Sequence, residues 1–209
     1  MPTGYPILLD ISDKPAVIIG GGKVALRKAK ALLDAGVARL TIVSPKFADG
    51  FPPSVTKITD TYRPDHLANA HIVIAATDSP AVNAQIVRDA TKQNLLVNRA
   101  DGNDAEPGNF TAPAVLRQGE LTLAVWADSP ALSASIRDGL QSRWDPRWTK
   151  MADAMRTLRP WILASDLPPN TRHDLLRQLA GEKALNLLET AGVDVLRDWI
   201  KHEFMSHHS

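Results

Sequence analysis

An apolar run that empties into three consecutive glycines, followed by a basic amphipathic segment, constrains this chain more than any other feature. Residues 15–30 read Pro-Ala-Val-Ile-Ile-Gly-Gly-Gly-Lys-Val-Ala-Leu-Arg-Lys-Ala-Lys. Ala16–Ile19 predicts a short buried strand. After the glycines, Val24, Ala25, Lys28, Ala31, Leu32 and Ala35 recur at near-helical spacing, and Gly36 stands where a C-terminal cap belongs. Gly20 and Gly22 occupy the first two glycine positions of a G-x-G-x-x-G/A fingerprint, and Ala25 fills the third. Gly20 allows the tight turn, Gly22 lets the backbone approach phosphate, and Ala25 keeps helix and sheet close. Glycine runs also make flexible loops, but the strand before and the helix after favour a turn that sets a dinucleotide pyrophosphate on a helix N-terminus. The expected cradle is Gly20, Gly21, Gly22, Lys23 and Val24.

The same alternation continues downstream. Leu40–Val43 predicts the next parallel strand, Val55–Thr59 a weak one, Asp65–Asn69 a short helical turn and His71–Ala75 a buried strand. Ser79-Pro80 pairs a capping serine with proline at the first helical position, and that helix is expected to reach about Gln93. Leu95–Asn98 is a further strand. Such units imply an α/β fold, a Rossmann-type doubly wound parallel sheet over residues 1–112 with its ligands at the strands' carboxyl ends. A polar loop, 101–109, follows. Leu121–Trp126 reads as a strand, and Ser129-Pro130 starts a helix toward Trp144. From Pro146 the pattern is all helix, with breaks expected at Pro160, Leu167-Pro168-Pro169 and Gly192. The plan is a nucleotide domain (1–112), a small mixed α/β segment (113–146) and a C-terminal helical domain (147–209).

Composition narrows the function classes. With 24 basic and 23 acidic residues the net charge is +1, so nothing marks a bulk nucleic-acid binder. There is no cysteine, which removes disulfides, thiolate metal sites and cysteine nucleophiles. The six histidines form no H-E-x-x-H and no i,i+4 pair, so no protein metal site is expected. No leader peptide and no membrane span are read, and the expectation is a soluble cytoplasmic protein with neither a nucleic-acid nor a membrane partner.

Individual residues carry the chemistry. Asp101 follows the strand Leu95–Asn98, at the edge where such sheets hold ligands. A carboxylate there can take up or direct a proton in an oxidation, or simply open an Asp-Gly turn. Ala76 and Thr77 follow His71–Ala75 and are placed on the nicotinamide side, as is Asn98. The second strand ends in Val43-Ser44-Pro45-Lys46, without the acidic residue common in NAD sites. Ser44 could bond a ribose hydroxyl and Lys46 could tolerate a 2′-phosphate, so the residues alone leave NAD and NADP both open.

These motifs together resemble the precorrin-2 dehydrogenase family, which includes stand-alone enzymes and the N-terminal part of siroheme synthases. The resemblance runs from about Tyr5 to Trp144. It rests on Tyr-Pro-Ile-Leu-Leu-Asp-Ile, Val-Ile-Ile-Gly-Gly-Gly-Lys-Val-Ala-Leu-Arg-Lys-Ala, Ile-Ala-Ala-Thr-Asp with Asn83 shortly after, and Val-Asn-Arg-Ala-Asp followed by Asn-Phe-Thr-Ala-Pro-Ala. It implies NAD as cofactor, oxidation of the tetrapyrrole precorrin-2 to sirohydrochlorin, a catalytic role for Asp101, and a homodimer formed through the 113–146 segment. Some members also insert ferrous iron, which stays open here, as does a non-catalytic sensor or carrier. The loop Trp126-Ala127-Asp128-Ser129-Pro130 is shorter than in the family and lacks its glycines, so no substrate contact is carried over there. Arg99, Arg117, Arg137, Arg143 and Arg147 are candidates by location for the substrate's carboxylates, because a guanidinium can pair with them bidentately, while each taken singly reads as a solvated surface charge.

Overall fold

The computed structural model describes residues 4–102 and 106–205; residues 103–105 of the polar loop, and two of the six histidines, His207 and His208, lie outside that description. The chain divides into two compact units, Met1–Ala112 and Pro113–Ser209.

In the first unit five parallel strands form one sheet: β1 (Pro15–Ile19), β2 (Arg39–Val43), β3 (Thr56–Ile58), β4 (Ile72–Ala75) and β5 (Leu96–Arg99). Their spatial order is β3-β2-β1-β4-β5. The chain therefore grows outward from β1 in one direction and then in the other, so the carboxyl ends of β1 and β4 flank the switch point. Side chains alternate between the two faces of each strand. Ala16, Ile18, Ile42 and Ile74 meet Ala25 and Ala29 of α1 (Lys23–Asp34). Val17, Ile19, Val73 and Val97 meet Ile86, Val87 and Ala90 of α2 (Pro80–Lys92). Both faces are covered, which is why β1 and β4 read as unbroken apolar runs rather than alternating ones. A 3-10 turn at Pro64–Leu67 stands where the short helical turn was expected, and it buries Leu67.

Boundaries moved by a residue or two. β5 runs through Asn98 to Arg99, so Asn98 sits inside the strand instead of ending it. α1 ends at Asp34, and Gly36 follows at φ 86°, a conformation that favours glycine.

In the second unit β6 (Ala114–Gln118) and β7 (Leu121–Val125) form an antiparallel hairpin turned by Gly119 at φ 56°. β6 has no counterpart in the sequence reading. Helix α3 (Pro130–Ser142) packs on the hairpin. Helices α4 (Pro146–Leu163), α5 (Pro169–Gln178) and α6 (Glu182–Ile200) enclose a core that includes Leu158, Ile162, Leu175, Leu185, Leu196 and Ile200. The break expected at Pro160 does not occur, because α4 continues through it. Proline removes one N–H bond, but Leu158 and Ile162 on either side are fully buried, and their packing holds the helix. The interruption expected at Gly192 is present as a single residue at φ 83° inside α6. Among the described residues no helix is long and apolar enough to cross a membrane.

Candidate functional site

Three neighbouring glycines do three different things. Gly20 lies at φ 128°, and a Cβ there would run into the carbonyl oxygen of Ala76. Its N–H donates to Val43 O at 2.9 Å, which closes the end of β1 against β2. Gly21 is buried, and a Cβ on it would meet the carbonyl of Lys46 and the hydroxyl of Ser44. Its own carbonyl accepts from Ala48 N at 2.7 Å. Gly22 is the N-cap of α1, without a side-chain cap, and a Cβ there would meet nothing within 4 Å. An uncapped helix N-terminus under open space, reached through a turn with no side chains, fits a pyrophosphate, with the first-turn backbone at Lys23 and Val24 facing it.

Ser44 is nearly buried and packs against Gly21, while Pro45 and Lys46 are exposed. Ala76 lies beside Gly20 and donates its N–H to Ile19 O at 2.8 Å. The expected residues Gly20–Val24, Ser44–Lys46 and Ala76–Thr77 therefore gather at the carboxyl ends of β1, β2 and β4. Asn98 is set apart: it is buried on the α1 face of the sheet, and its Nδ2 donates to Phe110 O at 3.1 Å. Among the described residues its Oδ1 has no partner.

Thr77 and Asp101 are linked by a residue that the sequence reading quoted only as part of a motif and gave no role. Asn83, in the first turn of α2, is fully buried. Its Oδ1 accepts from Thr77 N at 3.0 Å and Thr77 Oγ1 at 2.7 Å. Its Nδ2 donates to Thr77 O at 3.0 Å and to Asp101 Oδ2 at 2.9 Å. The signal was present, since Asn83, Ile86, Val87 and Ala90 share the apolar stripe of α2, and a polar residue on such a stripe needs a partner.

Arg99 completes the cluster. Its Nε donates to Asp101 Oδ1 at 2.7 Å and its Nη2 to Asp101 Oδ2 at 3.0 Å. Further bonds run from Nη1 to Glu106 O at 3.2 Å and from Nη2 to Pro80 O at 3.1 Å. The Asp101 carboxylate pushes the Arg99 guanidinium still further toward its charged form. Arg99 is thus committed inside the unit and is not an open receptor for substrate carboxylates. Arg147 is likewise taken, by Asp145, Glu182 and Asn186, and Arg137 pairs with Asp138.

Asn109 fixes the far end of the Asp101 loop. Its N–H donates to Val97 O at 2.9 Å, its Oδ1 accepts from Val97 N at 2.8 Å, and its Nδ2 donates to Leu95 O at 2.8 Å. One residue thereby satisfies the exposed edge of β5 as a neighbouring strand would.

A parallel sheet with its switch point beside a glycine turn and an uncapped helix start defines a Rossmann-type dinucleotide-binding protein. Residues 7–114 match the family model described as "Putative NAD(P)-binding", and the chain belongs to that family. The expected NAD belongs to that family's cofactor class. Siroheme synthase 2 of Aeromonas salmonicida is 38% identical over 143 residues, which cover 66% of this chain and 29% of that protein. The siroheme synthase of Pseudoalteromonas translucida is 35% identical over 144 residues, 66% of this chain and 30% of that one. The chain thus spans about a third of the length of these relatives. The structure of SirC, precorrin-2 dehydrogenase, superposes with a TM-score of 0.76 at 24% identity, over 95% of this chain and all of that one, and so shares the fold.

Proposed function

We propose that this chain is a dehydrogenase that oxidises precorrin-2 to sirohydrochlorin with NAD, a step in siroheme biosynthesis in the cytoplasm. The observation that carries the reading is the Thr77–Asn83–Asp101 connection. One buried asparagine joins the loop packed on the glycine turn to the carboxylate expected to meet substrate. Gly20–Val24 hold the pyrophosphate, Pro45 and Lys46 border the adenosine ribose, and the Ala76–Thr77 backbone borders the nicotinamide. Bound NAD supplies the hydride acceptor. Asp101, with about a fifth of its side chain exposed, meets the reacting edge of the tetrapyrrole and orients it. The balance is precorrin-2 and NAD⁺ giving sirohydrochlorin, NADH and one proton.

The protein acts as a homodimer in this reading. Val115, Trp126, Leu132, Ile136 and Leu140 of the 113–146 segment are exposed apolar side chains, an arrangement suited to burial against a second copy.

The test is anaerobic turnover of enzymatically generated precorrin-2 with NAD, and separately NADP, following NADH and sirohydrochlorin by absorbance. Protein-dependent formation of both is the expected result. A folded protein that binds NAD and yields neither product would instead be a carrier or sensor.

A further inference from the structure

The environment of Asp101 bears on which reaction the site performs, an inference that rests on the dehydrogenase reading. Both carboxylate oxygens are engaged by one guanidinium, at 2.7 and 3.0 Å, and Asn83 adds a third donor at 2.9 Å. Only 3% of the Arg99 side chain is exposed, and its bonds to the carbonyls of Glu106 and Pro80 tether it beside Asp101. The fork is planar and rigid, so it fixes the plane of the carboxylate as well as its place. Asp101 is therefore a carboxylate of fixed direction whose charge is compensated, with part of its surface still open.

Oxidation and metal insertion ask different things of such a group. Oxidation needs the substrate held so that a hydride leaves one carbon toward the nicotinamide, while a proton departs to solvent. A fixed acceptor serves that purpose. Insertion of a divalent cation into the product releases two N–H protons and brings a dication to the same edge. A carboxylate whose charge is compensated by a buried guanidinium attracts a dication weakly.

We propose that Arg99 is the positioning residue that sets reaction specificity, holding Asp101 for oxidation of the tetrapyrrole and closing it to insertion of a divalent cation. The full chain is compared with Arg99→Met and Arg99→Lys, with folding checked by thermal denaturation. Three quantities are read: NAD-dependent oxidation across pH, insertion of Co²⁺ into sirohydrochlorin, and the titration of the Asp101 side chain by ¹³C NMR, assigned with Asp101→Asn. Wild type should insert Co²⁺ no faster than the protein-free reaction. In Arg99→Met the oxidation kcat should fall about 10-fold or more, with KM for NAD unchanged. The Asp101 midpoint and the acidic limb of the pH profile should rise by about one unit or more, and Co²⁺ insertion should exceed background several-fold. Arg99→Lys, which keeps the charge without the fork, should fall between the two, and it carries the comparison if Arg99→Met does not fold.

An unmoved Asp101 midpoint, or wild-type Co²⁺ insertion as fast as that of the variant, would overturn the proposal. Absence of oxidation by wild type would sink the dehydrogenase reading alone, since the Asp101 midpoint reports on Arg99 without any turnover.

Discussion

A methyl group at Gly20 has nowhere to go: its Cβ would collide with the Ala76 carbonyl, and φ 128° is itself strained for an L residue. Gly21→Ala meets the Lys46 carbonyl instead. Each variant should lose about 2 kcal/mol or more of stability, seen as a fall in Tm. Gly22→Ala is different, because its Cβ meets nothing and its φ of −83° suits any residue. It should keep stability within about 0.5 kcal/mol of wild type, yet weaken NAD binding measured by calorimetry, since the methyl stands where phosphate approaches. Equal loss of Tm in all three variants would refute this division. The turn at Gly20, and Gly22 as the residue leading into the helix, were legible from the fingerprint. The role of Gly21 was not, because its constraint comes from Ser44 and Lys46, which follow another strand. The place of Asp101 after a strand was legible, but its pairing with Arg99 was not, since a sequence does not show which guanidinium is buried.

Among the elements, the parallel strands and the Ser-Pro helix starts announced themselves, because each signal is local: an apolar run, or a capping hydroxyl beside a proline. Ser79 Oγ accepts from Val82 N and Ser129 Oγ from Leu132 N, as that pattern implies. β6 was hidden because its residues, Ala-Val-Leu-Arg-Gln, acquire strand character only through pairing with β7. α4 offers a pH test. Its N-cap Asp145 accepts from Arg147 N at 2.9 Å and from the Arg147 guanidinium, and these bonds hold its carboxyl below the usual value. A carboxylate whose folded value is depressed contributes stability above its unfolded value, about 3.9, and that contribution is lost as pH falls through the folded value. Unit Pro113–Ser209 should accordingly lose stability on acidification below about pH 4. Asp145→Asn should narrow the difference in Tm between pH 7 and pH 3. An unchanged difference would mean that Asp145 contributes nothing to the acid transition.

At the scale of the whole molecule, exposed apolar surface must either be tolerated in water or be covered. Leu132, Ile136 and Leu140 are 52%, 42% and 41% exposed, and their spacing of four residues puts them along one face of α3. Val115 and Trp126 on the adjoining hairpin are also exposed, at 40% and 48%. Ser133, the buried residue of α3, is already satisfied within the unit and accepts from Ala127 N at 2.9 Å. The apolar row is therefore surplus to the unit's own core, and its regularity suits a self-complementary contact about a two-fold axis, in which one helix face meets its copy. A charge in the middle of that row would be buried without a partner in a dimer and harmless on a monomer. Ile136→Asp should thus convert a species of twice the chain mass into one of the chain mass in sedimentation velocity, while each chain keeps its circular dichroism spectrum. If wild type sediments as a single chain at micromolar concentration, or if Ile136→Asp leaves the double mass intact, this face is not the one through which two copies meet.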